Sequence, residues 1–338
     1  MGGERENIKQ LAELVSKDVL SVFGWKRRGP TDENWECKKP KAHGSQTRKK
    51  KSHSTDVVFE YIDPYRAGRT YLNTDLKSYG RDSITSSSIS SALQSLVYTT
   101  ECAQISDEFR DRHIANPDAA YIAGLLFIYN HDNEFDDNFD QLVAAACSKV
   151  AIPPRVRAYI LGPKQVTFLQ NIAHDQKLVM ASELEDFART THRAFPSPQL
   201  GTRFSRDEIS RAAPIELLQA PILVIRTIDT NSDTTTRADV YIRDTVNQTE
   251  DILFILEKLI SEEVLRTRGP AFPIHLREAG PGGADLGRIH LEHAAAQLLE
   301  RFAGVEEAAN MLNRVQCRPL ANVLRGYSPM VVGMGGAD

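Results

Sequence analysis

Residues 55–79 read TDVVFEYIDPYRAGRTYLNTDLKSY. DVVFEYI at 56–62 is rich in β-branched and aromatic residues, and so is the first part of RTYLNTDLKSY at 69–79. DPYRAG at 63–68, between them, has the composition of a turn. The stretch is expected to be a β-hairpin. With the turn centred near Tyr65 and Arg66, antiparallel partners sum to roughly 131, which sets Asp56 opposite Asp75. Their Cβ atoms would lie roughly 5 Å apart. Lys77 follows Asp75 by two residues and so shares its face.

That placement has a chemical consequence. Two facing carboxylates repel each other unless a cation stands between them. A hard divalent ion with oxygen ligands, Mg²⁺ or Mn²⁺, meets that need. A lysine beside the ion can orient or help deprotonate water and can neutralise charge on a phosphoryl transition state. The pattern points to metal-dependent phosphodiester hydrolysis.

Upstream, Ile8, Leu11, Leu14, Val15, Val19, Val22 and Phe23 recur at helical spacing, and Gly24 ends the pattern. Residues 26–54 are polar, carry Pro30, Pro40 and Gly44, and read as a basic loop of mobile character. Downstream, the pattern gives a helix over 86–112, a strand at 121–129 covered on both faces, a helix at 136–149 and a strand at 157–163. A largely helical stretch at 164–190 and an irregular one at 192–214 follow. Strands are expected at 221–227 and 238–244, and an amphipathic helix at 247–267. GPAFP and AGPGG (269–273 and 279–283) read as a linker before helices at 286–303 and 305–315. No internal sequence repeat is evident. The expected class is α/β: a mixed-sheet core with a mostly helical C-terminal portion. The expected division is a core over 1–190, an α/β extension or partner-binding region over 191–268, and a helical region with a flexible tail over 269–338.

The hairpin resembles the PD-(D/E)xK nuclease superfamily, the restriction-endonuclease-like fold shared by many restriction enzymes and RecB-type exonucleases. Asp56 matches the family's first acid, and Asp75-Leu76-Lys77 matches its (D/E)-x-K. A helix before the hairpin and one after it also match the family's order. On the second of these, Gln94-Ser-Leu-Val-Tyr98 is similar to the QxxxY element of RecB-like members. Spacing of four puts Gln94 and Tyr98 on one helix face. Thr55 stands where the motif's proline would be, and Asp75 is shorter than the commoner glutamate. The resemblance implies that Asp56, Asp75 and the Leu76 carbonyl hold Mg²⁺ or Mn²⁺, that Lys77 positions water, and that Gln94 and Tyr98 line a DNA channel. It also implies a third acid from the first helix, for which Glu13 is preferred over Glu4, Glu6 and Asp18. Asp63 is a weaker rival to Asp56, because Asp-Pro more often starts a turn. The arrangement is also similar to nuclease subunits of phage-defence systems that work with a second protein.

The chain has 338 residues with 41 Lys+Arg against 45 Asp+Glu, a net charge of −4, and 41% hydrophobic residues. That is ordinary globular composition, long enough to bury a sizeable core. Residues 26–51 depart from it with ten Lys/Arg against three acids. A polyanion is the natural partner of such a segment, and Lys49, Lys50 and Lys51 are its densest run. Trp25 and Trp35 are candidates for base stacking, with burial the commoner fate. No run of 18 uncharged apolar residues occurs, so no membrane span is expected. Cys37, Cys102, Cys147 and Cys317 lack paired spacing, as in a reducing, cytoplasmic protein. Cys37, His43 and His53 lack the paired ligand spacing of a zinc site, and zinc is not expected there. The leading function is a Mg²⁺-dependent deoxyribonuclease acting with a partner subunit or as a homo-oligomer. The alternative is a non-catalytic DNA-binding or assembly subunit of the same fold.

Overall fold

The computed structural model describes residues 14–45, 47–66, 68–117, 120–182, 191–195, 211–244, 246–261, 264–265, 271–278, 283–302 and 306–320. The chain divides into two compact units, with the change at Gln170/Asn171.

In the first unit, a helical turn at Val15–Val19 runs into a tighter one at Leu20–Phe23. Gly24 closes it at φ +79°, a left-handed conformation that favours glycine. Five strands form one mixed sheet in the order β1–β4–β5–β6–β7. They are β1 (Lys26–Arg28), β4 (Val57–Asp63), β5 (Gly68–Tyr79), β6 (Ala120–Asn130) and β7 (Ala158–Leu161). The pairings run antiparallel, antiparallel, parallel and parallel across the sheet. Helix α1 (Ser86–Ala103) and the short α2 (Asp107–His113) connect β5 to β6, and α3 (Phe139–Cys147) connects β6 to β7. Thr85 caps α1 in a reciprocal pair with Ser88, which explains why the serine-rich stretch starts a helix. The single helix expected over 86–112 is two, because Ser106 starts a new cap on the Phe109 N–H.

The segment expected as a loop over 26–54 is folded. β1 pairs with β4, and β2 (Glu33–Glu36) pairs with β3 (Ser52–Thr55) in a two-stranded sheet of its own. The connection is held by backbone bonds from Cys37 N–H to Lys51 C=O (3.0 Å) and Lys50 N–H to Pro40 C=O (2.9 Å). The loop reading is therefore corrected at β1, β2 and β3. Trp25 and Trp35 are core residues: Trp25 stacks on Tyr61 at 5.0 Å, and Trp35 packs on Phe109 at 5.2 Å.

Helix α4 (Pro163–Ser182) runs through the unit boundary, so no break in pattern marks it. The second unit has its own five-stranded sheet in the order β8–β9–β10–β11–β12. Its strands are β8 (Thr191–Ala194), β9 (Ile222–Asp229), β10 (Thr234–Ile242), β11 (Ile274–Glu278) and β12 (Val315–Pro319). The short α5 (Ile215–Gln219) precedes β9. Helix α6 (Thr249–Ser261) links β10 to β11, and α7 (Gly283–Arg301) with α8 (Glu306–Leu312) links β11 to β12. The expected C-terminal helices are present, and the structure adds β11 inside the expected linker and β12 after the last helix.

The pairings of this second sheet are again antiparallel, antiparallel, parallel and parallel. The second unit thus repeats the topology of the first, without a repeat in sequence. The two differ at the third strand of each sheet. In the first unit, β5 turns Tyr71, Asn73, Asp75 and Lys77 towards the side covered by α1, where Asn73 reaches Thr100. In the second, β10 turns Ala238, Val240 and Ile242 into an aliphatic core with Ile252, Ile255 and Leu256 of α6.

Candidate functional site

The hairpin has the register expected from its turn. Val57 pairs with Thr74 and Asp63 with Gly68, every pair summing to 131. The next step beyond Val57 and Thr74 sets Asp56 against Asp75. Asp56 occupies the bend between β3 and β4, where its C=O accepts the Asp32 N–H at 2.9 Å. Its Oδ2 accepts the Leu76 backbone N–H at 2.7 Å. Asp56 and Asp75 are within hydrogen-bonding reach of each other. Lys77 Nζ closes on Asp75 Oδ1 at 2.6 Å. The three side chains expected to act together are together.

Electrostatics in this cluster are unbalanced. Burial first, and then the charge of Asp75, push the Asp56 carboxyl from 3.8 up to about 7, against the opposing Leu76 N–H and Lys77. Burial works to lower Lys77, but the charge and hydrogen bond of Asp75, with Asp56 behind, outweigh it and raise the ammonium's pKa. One lysine does not satisfy two acids. An added cation of oxygen-seeking character would.

The second unit holds a buried acid in a contrasting way. Asp239 is fully buried and is met by Arg237 at 2.7 Å and by Arg277 Nε at 3.2 Å. Burial works to raise its carboxyl, but His275, Arg237 and Arg277 together hold it below the ordinary range. There the acid's cations are part of the chain. At Asp56 the shift has the opposite sign.

A buried polar chain supports the acid pair from behind. Trp35 Nε1 donates to Thr55 Oγ1 (3.0 Å), Thr55 donates to Asn73 Oδ1 (3.0 Å), and Asn73 Nδ2 donates to Thr100 Oγ1 (3.5 Å). This chain joins β2, β3, β5 and α1 beside Asp56 and Asp75. The sequence reading missed it, because neutral Thr and Asn carry no motif. Opposite Asn73 in the register is Gly124, and a Cβ there would meet Thr100 Oγ1 at 2.7 Å and Leu96 Cγ at 2.9 Å. Gly124→Ala is expected to push α1 off the sheet and destabilise the chain by about 1–3 kcal/mol, read as a lower urea midpoint. An unchanged midpoint would show that α1 does not depend on this close approach.

On α1, Gln94 and Tyr98 share a face with Ser91 and Ser95. With Lys50, His43 and His53 they line an open cleft of ≈ 250 Å³. Tyr98 stacks on His43 with ring centroids 4.4 Å apart. Lys49, Lys50 and Lys51 are exposed just before β3, and of these Lys50 reaches the cleft. Lys38 and Lys39 are engaged by Glu36 and Glu101, each at 2.7 Å.

Of the rival acids, Asp63 ends β4 and holds the turn: it accepts the Tyr65 N–H at 2.9 Å and the Thr70 hydroxyl at 2.5 Å. Asp18 is exposed. Glu13, Glu4 and Glu6 lie outside the described residues. Asp132 serves the backbone, its Oδ2 accepting the Arg81 N–H at 2.7 Å, and Asp136 pairs with the Arg81 guanidinium at 2.9 Å. His290 bonds Thr249 at 3.1 Å. Among the described residues no helix is long and apolar enough to cross a membrane.

Residues 1–165 match the family described as GAPS4 protein PD-(D/E)XK nuclease domain. The match covers the stretch that carries the hairpin, α1 and β6, and it gives the first sheet a restriction-endonuclease-like identity. No curated protein and no solved structure matches the chain.

Proposed function

We propose, from the match of residues 1–165 to the PD-(D/E)XK nuclease-domain family, that the chain hydrolyses DNA phosphodiester bonds at Asp56, Asp75 and Lys77 with Mg²⁺ or Mn²⁺. The observation that carries the proposal is the hairpin register that faces Asp56 with Asp75, with Lys77 Nζ 2.6 Å from Asp75 Oδ1 and the buried Asp56 carboxyl raised beside it. Such a pair stores repulsion that a divalent ion relieves.

Asp56 and Asp75 would hold the ion, with the Leu76 carbonyl as a third oxygen donor. The hard, all-oxygen donor set fits Mg²⁺ or Mn²⁺. Once bound, the ion supplies an acidified water and charge against the phosphoryl oxygens. The Leu76 N–H fixes the Asp56 carboxylate and therefore where that charge sits. Lys77, held on the face of the acids by its pairing with Asp75, would release that carboxylate and hold the attacking water by hydrogen bond. There it would position or help activate the attacking water and offset charge on the phosphoryl oxygens. Glu13 is the proposed third acid.

Lys49, Lys50 and Lys51 would meet the phosphate backbone, an interaction that positions DNA without reading sequence. Gln94 and Tyr98 would line its path along the cleft they share with Lys50. The proposed setting is phage defence in the cytoplasm, with a protein partner or a second copy of this chain.

The test is cleavage of linear and supercoiled DNA with Mg²⁺, Mn²⁺ or chelator, using wild type beside Asp75→Ala. Metal-dependent cutting that is lost in Asp75→Ala is expected. DNA binding without cutting by the wild type would instead favour a non-catalytic subunit.

A further inference from the structure

We propose that Cys37, His43, His53 and Cys102 form a structural zinc site in the first unit, separate from the acid pair. Their ligand atoms all lie within 4.8 Å of one another, and all four residues are buried. Cys37 follows β2, His43 lies in the connection, His53 is in β3 and Cys102 is on α1.

Four of the six spacings match the edges of a tetrahedral site. Zinc–sulfur bonds of about 2.3 Å and zinc–nitrogen bonds of about 2.0–2.1 Å imply edges of about 3.8 Å (S···S), about 3.6 Å (S···N) and about 3.3 Å (N···N). Cys37 Sγ lies 3.9 Å from Cys102 Sγ. His43 Nδ1 lies 3.5 Å from Cys37 Sγ and 3.4 Å from Cys102 Sγ. His43 Nδ1 and His53 Nε2 are 3.3 Å apart.

The outer partners fix which ring nitrogen faces inward. His43 Nε2 is 2.8 Å from Glu101 Oε2, an acceptor, so Nε2 carries the proton and Nδ1 offers a lone pair. Thr99 Oγ1 donates its own hydrogen to the Ser95 carbonyl at 2.8 Å. It is therefore left to accept from His53 Nδ1 at 3.3 Å, and His53 Nε2 offers a lone pair. Two imidazole lone pairs facing each other at 3.3 Å, beside two thiols, are a donor set that a shared Zn²⁺ would take. Zn²⁺ enters with loss of one proton from each thiol, giving two thiolates, two neutral imidazoles and no net charge to bury.

The donors also separate this site from the other. Sulfur and imidazole select zinc, whereas carboxylates select magnesium or manganese. The zinc would clamp the segment that carries Lys49, Lys50 and Lys51 onto α1, beside Gln94 and Tyr98. Paired ligand spacing could not reveal it, because Cys102 stands 65 residues from Cys37.

The test is metal analysis of the purified full-length chain after exhaustive dialysis, made after expression with added zinc. About one zinc per chain is expected. Cys102→Ser and His53→Gln should fall to background, whereas Asp75→Ala should keep its zinc, since Asp75 belongs to the other site. Replacement of the ion by Co²⁺ in the wild type should give tetrahedral ligand-field absorption with thiolate charge-transfer bands, a readout independent of whether the variants fold. Folded wild type with no zinc and no such cobalt spectrum would overturn the proposal. So would a Cys37–Cys102 disulfide, read as a loss of two hydrogens in intact mass. None of these outcomes depends on nuclease activity.

Discussion

Replacing Asp56 by Asn is expected to abolish metal-dependent cleavage and, at the same time, to stabilise the metal-free protein above about pH 7. The carboxyl rises from 3.8 to about 7 on folding, through burial and then through Asp75. Between those values the folded chain keeps a proton that the unfolded chain has lost. Stability of the metal-free wild type therefore falls as pH rises from about 4 through about 7, and the full cost remains above that. Asparagine keeps an oxygen for the Leu76 N–H and removes the charge. The variant's unfolding temperature should be nearly flat over this window, and higher than wild type at pH 8. Mg²⁺ at pH 8 should raise the wild type and leave the variant unmoved, because binding to the native state stabilises it only where the site exists. A variant less stable than wild type at pH 8 would show that the Asp56 charge stabilises the metal-free fold.

Lys77→Met is expected to reduce cleavage by about 10²–10⁴-fold, the range for loss of a positioned proton-handling or charge-stabilising group. Its effect on stability should be opposite in sign to that of Asp56→Asn. Lys77 Nζ pairs with Asp75 Oδ1 at 2.6 Å. Its loss leaves two acids facing each other and should destabilise the metal-free chain at pH 8. The ion's affinity should hold or rise, since the lysine no longer competes for Asp75. Chevron or thermal data with and without Mg²⁺, beside single-turnover cleavage, separate the two effects. Cleavage within tenfold of wild type would remove Lys77 from the chemistry.

The hairpin was legible because its pattern is strong: runs of β-branched and aromatic residues flank an Asp-Pro turn, and one register follows. β2 and β3 were not, because ENWE and SHST are short and polar and become strands only by pairing with each other. β11 was hidden by the Gly and Pro residues around it, although IHLRE alternates as a strand should. The unit boundary falls inside the continuous helix α4, so composition does not mark it. The repeated topology leaves no trace in sequence, because the Asp75 side of one sheet is replaced by Ala238, Val240 and Ile242 in the other. Asp56, Asp75 and Lys77 were found by spacing within one hairpin. The Thr55–Asn73–Thr100 chain and the Cys/His cluster depend on contacts between distant segments, which spacing does not encode.

The most direct test of the central claim is calorimetric titration of the wild type and Asp75→Ala with Mn²⁺ at pH 7, in two buffers of different ionisation enthalpy. A carboxyl near pKa 7 is about half protonated there, so the ion should displace part of a proton as it binds. The expected result is a binding event in the wild type accompanied by proton release, with both lost in Asp75→Ala. Binding that survives Asp75→Ala unchanged, or a wild type that takes up no Mn²⁺, would contradict the assignment of Asp56 and Asp75 as the metal site.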